Sequence, residues 1–258
     1  MSRILGVIPA RLGSTRLTRK PLQLLAGAPL VTWVWGQTRQ MPFLDRVVVA
    51  TDAPEVASAC EDWGVEVLLT APGHESGTDR VWEVVERVGE GFSFIVNIQG
   101  DEPLVAADHV RRAVALLEDG YDVGTCAAPI SLERDFADPA VVKVVRRTDG
   151  SALYFSRAAI PHRRADHSGD GPRGHCERLR HIGIYAYKRE ALGKWVDLQP
   201  SPLEREEGLE QLRALQAGLE IGVAIVDYTD GGIDTPEDLV RMENHVRKLG
   251  IQAPVKTA

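Results

Sequence analysis

Short apolar runs alternate with amphipathic stretches through the first half of the chain. The candidate strands are Ile4 to Ile8, Arg46 to Ala50, Glu66 to Leu69, Phe94 to Ile98 and Val123 to Ala127, most of them rich in the β-branched residues that suit a pleated sheet. Between them the spacing predicts helices at Pro29 to Gln40, Pro54 to Trp63, Thr78 to Val88 and Ala106 to Glu118. In the third of these, Val81, Val84, Val85 and Val88 recur at i, i+3, i+4 and i+7, which makes one apolar stripe on a helix rather than a strand face. Strand, helix, strand with continuous apolar strands predicts an α/β fold. Its core is a mostly parallel central sheet flanked by helices, Rossmann-like, with ligands held at the carboxyl ends of the strands.

After about residue 130 the pattern changes. Val141 to Arg146, Ala152 to Ser156 and Leu179 to Tyr187 read as strands with no helix between them, which predicts a smaller antiparallel excursion. His162 to Glu177, the most polar stretch, reads as an exposed loop. Helical periodicity returns at Arg189 to Val196, Glu204 to Gln216 and Glu237 to Leu249, with a strand at Ile221 to Val226. The expectation is a single domain over residues 1–258 in which about 130–215 is an inserted antiparallel sheet and helix.

Composition removes several function classes. The chain has 258 residues, of which 44% are hydrophobic and 26% charged, enough apolar material for a sizeable core. Its net charge of -7 argues against a nucleic-acid partner, so any nucleotide must be met by local basic clusters. Cys60, Cys126 and Cys176 are odd in number and form no CxxC pair, which fits a reducing cytoplasm. Arg3 precedes an apolar run that ends at Pro9, too short for a signal segment or a membrane span, so no export and no membrane partner is expected.

Three segments carry candidate chemistry. The apolar run Ile4 to Pro9 feeds into Ala10-Arg11-Leu12-Gly13-Ser14-Thr15-Arg16-Leu17, with Lys20-Pro21-Leu22 just after it. Gly13 permits close backbone approach, amide hydrogens line the turn, and Arg11, Arg16 and Lys20 oppose phosphate charge. The same composition also fits an ordinary strand-to-helix loop with solvated basic residues. The second segment is Val96-Asn97-Ile98-Gln99-Gly100-Asp101-Glu102-Pro103, which brings an amide and two carboxylates to a strand end. A carboxylate there can hold Mg²⁺ or can cap the next helix. The third is Gly231-Gly232-Ile233-Asp234-Thr235-Pro236-Glu237-Asp238-Leu239, where Thr235 and Pro236 make a capped helix start and leave Asp234 just outside it, free to act as a ligand.

Two features of the polar loop are read as decoys. Gly169-Asp170-Gly171-Pro172-Arg173-Gly174 matches a GxGxxG string, but no strand leads into it and no apolar helix follows. His162, His167, His175 and Cys176 match no standard zinc spacing.

These segments, with others between them, resemble the 3-deoxy-manno-octulosonate (Kdo) cytidylyltransferases. The resemblance runs almost end to end through Ile8-Pro9-Ala10-Arg11, Ser14-Thr15-Arg16-Leu17, Lys20-Pro21-Leu22, Ala50-Thr51-Asp52, Ser76-Gly77-Thr78-Asp79-Arg80 and Asn97 to Pro103. It continues through Lys143-Val144-Val145, Ala152 to Arg157, Ile160-Pro161, Arg180 to Tyr185, Gln199 to Glu204, Leu209 to Arg213 and Asp234 to Leu239. It implies a fold of the nucleotide-diphospho-sugar transferase type and a cytoplasmic, Mg²⁺-dependent homodimer. That enzyme makes CMP-Kdo and pyrophosphate from CTP and Kdo for lipopolysaccharide synthesis. On the family pattern Ala10, Arg11, Ser14, Arg16, Lys20, Ser76, Gly77 and Arg80 hold the nucleotide, and Asp101 and Asp234 hold the metal. Arg11, Lys20, Asp101 and Asp234 are then the catalytic set. Gln99, Arg157, His181, Tyr185, Glu210 and Gln211 are the expected sugar contacts, and Pro202 to Arg213 the expected dimer contact. Read from the residues alone, Ser76 to Asp79 is also a capping box and His181 also a structural histidine.

One departure stands out. Where the family pattern has Arg-Leu-Pro-Gly/Ala-Lys-Pro-Leu, this chain has Arg16-Leu17-Thr18-Arg19-Lys20-Pro21-Leu22, losing a fixed φ and adding a charge expected to face solvent. The acceptor could instead be another 2-keto sugar acid, such as 8-amino-Kdo or a sialic acid. A binding-only homologue and a glycosyltransferase also compete with the synthetase reading. The absence of an Asp-x-Asp string counts against the glycosyltransferase.

Overall fold

The computed structural model describes residues 2–13, 16–163, 176–227 and 232–256. The chain falls into two units, Met1–Arg111 with Thr229–Ala258, and Arg112–Tyr228. In the first unit the strands are β1 (Ile4–Pro9), β2 (Leu24–Leu25), β3 (Ala28–Pro29), β4 (Arg46–Thr51), β5 (Val67–Leu69) and β6 (Phe94–Asn97). Its helices α1 (Leu30–Arg39), α2 (Pro54–Asp62) and α3 (Gly77–Val88) alternate with them as the periodicity predicts. Four of them lie in the order β6-β1-β4-β5, all parallel, with Val7 opposite Val48 on one side and Asn97 on the other, while β2 and β3 form a separate antiparallel pair. Continuous burial of β1 and β4 explains their near-continuous apolar sequence.

Helix α3 shows how locally this architecture is written. Ser76 accepts from the Asp79 amide and the Asp79 carboxylate accepts from the Ser76 amide, so the start is capped reciprocally. Val81, Val84 and Val85 are fully buried, each burial stabilising by roughly 1.5–3 kcal/mol.

Helix α4 (Ala107–Glu118) has residues on both sides of the division. The second unit continues with β7 (Val123–Pro129), α5 (Glu133–Ala137), β8 (Lys143–Arg146), β9 (Ala152–Ser156), β10 (Leu179–Lys188), α6 (Arg189–Asp197), α7 (Pro202–Glu207), α8 (Gln211–Gln216) and β11 (Ile221–Ile225). Its strands run β11-β7-β10-β8-β9; β11 and β7 are parallel and every other pair is antiparallel. Gly124 is required here, because a Cβ at that position would lie 2.0 Å from the Ala113 carbonyl oxygen.

Two expectations need correction. The strand read at Val123 to Ala127 as part of the parallel set pairs antiparallel with β10, so the antiparallel region begins earlier than 130. The helix read as Glu204 to Gln216 is two helices, α7 and α8. Gly208 sits between them at φ 60, in the left-handed region, and its amide closes α7 onto the Glu204 carbonyl.

The chain returns to the first unit for its last helix, α9 (Pro236–Leu249), capped by Thr235 and Asp238 and stopped by Gly250. Met242 and Val246 of α9 pack with Leu17, Leu25, Ala28, Leu30, Trp33 and Ile233 in one buried cluster. Trp33 donates its indole N–H to the Leu25 carbonyl at 2.7 Å, so this large side chain is buried without an orphaned donor. Among the described residues no helix is long and apolar enough to cross a membrane.

Candidate active site

Three chain segments meet at the carboxyl ends of β1 and β6, all within the first unit. The Ala10 amide donates to the Ala50 carbonyl at 2.8 Å and the Ile98 amide to the Val7 carbonyl at 2.9 Å, which fixes where the loops after β1 and β6 emerge. Gly100 then passes so close to β1 that a Cβ would stand 2.8 Å from the Pro9 carbonyl oxygen. The Ile233 amide donates to the Asp101 carbonyl at 3.0 Å, so residues distant in sequence become neighbours. Leu17 and Ile233 share the buried cluster beneath the site, and one piece of core therefore anchors both the basic loop and the Asp234 segment.

A cavity of about 350 Å³ opens over this junction, lined by Ala10, Arg11, Gly13, Arg16 and Lys20 from the first loop, by Gln99, Gly100 and Asp101, and by Asp234. Among the described residues, chain neighbours apart, no heavy atom lies within 4 Å of where a Gly13 Cβ would be. Lys20 Nζ donates to Asp101 Oδ2 at 2.7 Å and to Asp234 Oδ1 at 2.8 Å. Arg16 Nη2 reaches the same Asp234 oxygen at 3.1 Å. Burial alone would pull the Lys20 ammonium down, but attraction and hydrogen bonds from Asp101 and Asp234 outweigh it, so its pKa lies above the ordinary value. Beside them, Glu102 is pushed up to about 7 by burial and then by the Asp101 charge.

The donor set fits a magnesium ion. Two carboxylates from distant segments converge on one ammonium, hard oxygen donors of the kind a small hard cation takes, and the adjoining cavity leaves room for water and phosphate oxygens. Asp234 is held from behind: its amide and that of Thr235 both donate to Asp238 Oδ2, at 3.1 and 3.0 Å. Burial opposes ionisation of Asp238, but these bonds and Arg241 hold its carboxyl below the usual range.

Of the other expected nucleotide contacts, Ser14 lies outside the described residues, as do Thr15, Gly231, the string from Gly169 to Gly174, His167 and His175. Ser76 and Gly77 form the capped start of α3 and are not among the residues lining the cavity. Arg80 is 3% exposed; its guanidinium donates to Asp52 at 2.9 Å and to the Thr70 hydroxyl, tying the ends of β4 and β5. Arg19 adopts φ 54 in the left-handed region and reaches Glu55 at 3.7 Å on the surface, in keeping with the solvent-facing expectation.

Apart from Gln99, which lines the cavity, the expected sugar contacts lie in the second unit. His181 is packed edge-on to Phe155 and against Tyr185, and Tyr185 stacks with Tyr187 and meets Trp195. Burial drops His181 to about 4, so the ring is neutral. The Thr125 hydroxyl lies 2.7 Å from the Ile184 carbonyl oxygen and 3.0 Å from His181 Nε2, so a hydrogen bond joins it to the ring. The Tyr185 hydroxyl is buried with no protein partner among the described residues, and burial raises its pKa well above the usual value. Glu210 accepts from the Trp195 indole at 3.2 Å, and Gln211 is buried at the start of α8.

Arg157 has other commitments. It donates to the carbonyls of Glu207 at 2.7 Å, Pro139 at 3.1 Å and Gly208 at 3.4 Å. Its own carbonyl accepts from Lys143, a fully buried ammonium that also bonds the carbonyls of Asp138 and Val141. The Glu207 carboxylate completes the knot by accepting from the Ser156 hydroxyl and the Arg157 amide. Sequence reading placed Leu17, Gly100, Lys143 and Ile233 in motif strings without assigning them a role, and it missed Glu207.

Comparison with known proteins agrees with this geometry. The family model described as Cytidylyltransferase matches residues 5–221. A 3-deoxy-manno-octulosonate cytidylyltransferase of Gemmatimonas aurantiaca is 49% identical over 94% of this chain and 93% of its own length. One from a Bradyrhizobium species is 46% identical over 92% of this chain and 95% of its own. A solved structure of CMP:2-keto-3-deoxy-manno-octonic acid synthetase complexed with CTP superposes with a TM-score of 0.88 at 38% identity, covering 96% of this chain and 100% of that one. The chain belongs to the 3-deoxy-manno-octulosonate cytidylyltransferase family.

Proposed function

We propose that this protein transfers a cytidylyl group from CTP to the anomeric hydroxyl of 3-deoxy-manno-octulosonate, giving CMP-Kdo and pyrophosphate for lipopolysaccharide synthesis in the cytoplasm. The observation that carries the reading is the Lys20 ammonium held between Asp101 and Asp234 at the mouth of a basic cavity, in a chain of this family. The hydroxyl oxygen attacks the α-phosphorus. The bond from that phosphorus to the oxygen bridging to the β-phosphate breaks, pyrophosphate leaves, and the hydroxyl proton passes to solvent.

Arg11, Lys20 and the Gly13 backbone oppose triphosphate charge and hold the α-phosphorus in line. Asp101 and Asp234 are the residues that would hold magnesium, which when bound neutralises charge developing on the departing pyrophosphate. Gln99 lines the same cavity and is placed to orient the acceptor. In the second unit Arg157, His181, Tyr185, Glu210 and Gln211 belong to the same reading as sugar contacts, with His181 held neutral by burial. A homodimer with Pro202 to Arg213 at its contact belongs to the same reading.

The test is pyrophosphate release with CTP, Mg²⁺ and a panel of Kdo, 8-amino-Kdo and a sialic acid. Kdo is expected to give the highest kcat/KM. Release only with another keto acid would replace the acceptor, and no release with any of them would overturn the reaction.

A further inference from the structure

The Lys20 contacts say more than that the residue lies near phosphate. Its ammonium occupies the very oxygens, Asp101 Oδ2 and Asp234 Oδ1, that a metal would need, with Arg16 as a second cation on Asp234. A divalent ion and an ammonium cannot both sit on that pair, because like charges at such spacing repel strongly in a partly buried site. The Lys20 backbone is pinned in a short 3-10 turn, Lys20–Leu22, with Leu22 N–H on the Arg19 carbonyl at 2.9 Å and Gln23 N–H on the Lys20 carbonyl at 3.1 Å. Only the flexible side chain is left to move. The cavity lined by Arg11 and Gly13 lies within the same set of residues, so a polyphosphate there gives the ammonium another anionic partner.

We propose that Lys20 is an internal counter-ion that keeps the Asp101–Asp234 pair closed to divalent cations until a polyphosphate draws it away, which makes metal entry dependent on nucleotide. The inference rests on reading Asp101 and Asp234 as the metal ligands. Without nucleotide the carboxylate pair is neutralised by the protein itself. With nucleotide, Lys20 moves to phosphate and the pair is released, and by linkage the metal favours nucleotide to the same degree.

The experiment uses Mn²⁺ alone as probe, with no nucleotide, and reads the loss of the free-ion paramagnetic resonance signal on titration with protein. Wild type is expected to bind weakly, and Lys20→Met to bind about tenfold more tightly because an opposing charge is gone. Adding Asp101→Asn to Lys20→Met should cancel the gain. Lys20→Gln, which keeps a hydrogen-bonding side chain, gives the same comparison if the methionine variant does not fold, and thermal melting with Mn²⁺ provides a second readout. Unchanged or weaker Mn²⁺ binding in the folded variants would overturn the proposal, as would a gain that survives Asp101→Asn. Because no nucleotide is present, the outcome is separate from that of the transfer assay: a protein inactive on CTP can still show the Lys20 effect, and an active one can lack it.

Discussion

Two pairs of cations, one pair in each unit, serve opposite ends. In the first, Lys20 and Arg16 are bound to side-chain carboxylates in an open cavity, with side-chain exposures of 14% for Lys20, 28% for Asp101 and 42% for Asp234. In the second, Lys143 and Arg157 are bound to the backbone carbonyls of residues 138, 139, 141, 157, 207 and 208. A charge on a charge at a cavity mouth can be handed to a ligand, because both partners find new partners there. A charge on carbonyls closes loops, and removing it leaves those carbonyls without a donor.

The contrast is most vulnerable at the core beneath the first unit's site. Ile233→Ala is expected to cost about 3 kcal/mol of unfolding free energy, as for other buried Ile-to-Ala changes, and to lower turnover as Asp234 loses its anchor. Denaturant melts together with pyrophosphate release check both halves, and full activity at reduced stability would uncouple them. In the second unit, Arg157→Met should destabilise by about 1 kcal/mol, chiefly through the half-buried Glu207 carbonyl, and Arg157→Lys should not restore the loss because one ammonium cannot reproduce the guanidinium fork. A raised Kdo KM at unchanged melting temperature would make Arg157 a substrate contact alone.

Glu102 and His181, one group in each unit, differ in the sign of their pH dependence. Glu102 has a folded pKa of about 7 against an ordinary 4.5, so the folded state holds the extra proton between these values. Its contribution is fully present below pH 4.5 and gone once pH has risen through about 7. His181, at about 4 against 6.5, does the reverse: the unfolded state holds the extra proton, and the contribution present above pH 6.5 is gone once pH has fallen through about 4. Stability-pH curves of Glu102→Gln and His181→Gln should each lose one of these opposed slopes. Identical curves for both variants and wild type would contradict the assignment.

The smallest effect is expected at Arg19. Its left-handed backbone favours glycine, but glycine is looser in the unfolded chain, and the exposed contact with Glu55 contributes little. Arg19→Gly should shift stability by less than about 1 kcal/mol with turnover nearly unchanged. A large rise in CTP KM would show that Arg19 meets triphosphate.

Local chemistry was the legible part of the sequence. Capping boxes at Ser76 and Thr235, the valine stripe of α3 and the strand periods all depend on neighbours in sequence, and each forms as read. Partner choice was not legible. Nothing in Val123 to Pro129 says that it pairs antiparallel with Leu179–Lys188, and the break at Gly208 is hidden in a helical period that continues across it. In the candidate site the residue types were visible, but not that Ile233 donates to the Asp101 carbonyl, nor that Arg80 is taken by Asp52 and Thr70. Those facts are tertiary hydrogen bonds with no local signature.

If the exchangeable charges of the first unit perform the transfer, the carboxylate pair beneath Lys20 must be indispensable to it. Mg²⁺-dependent pyrophosphate release from CTP and Kdo in Asp101→Asn and Asp234→Asn, each checked for a native melting curve, measures this directly. Both variants should lose activity by about 10²–10³-fold or more at saturating substrates, the scale seen when a group stabilising transition-state charge is removed. Turnover at the wild-type rate in either folded variant would contradict the account.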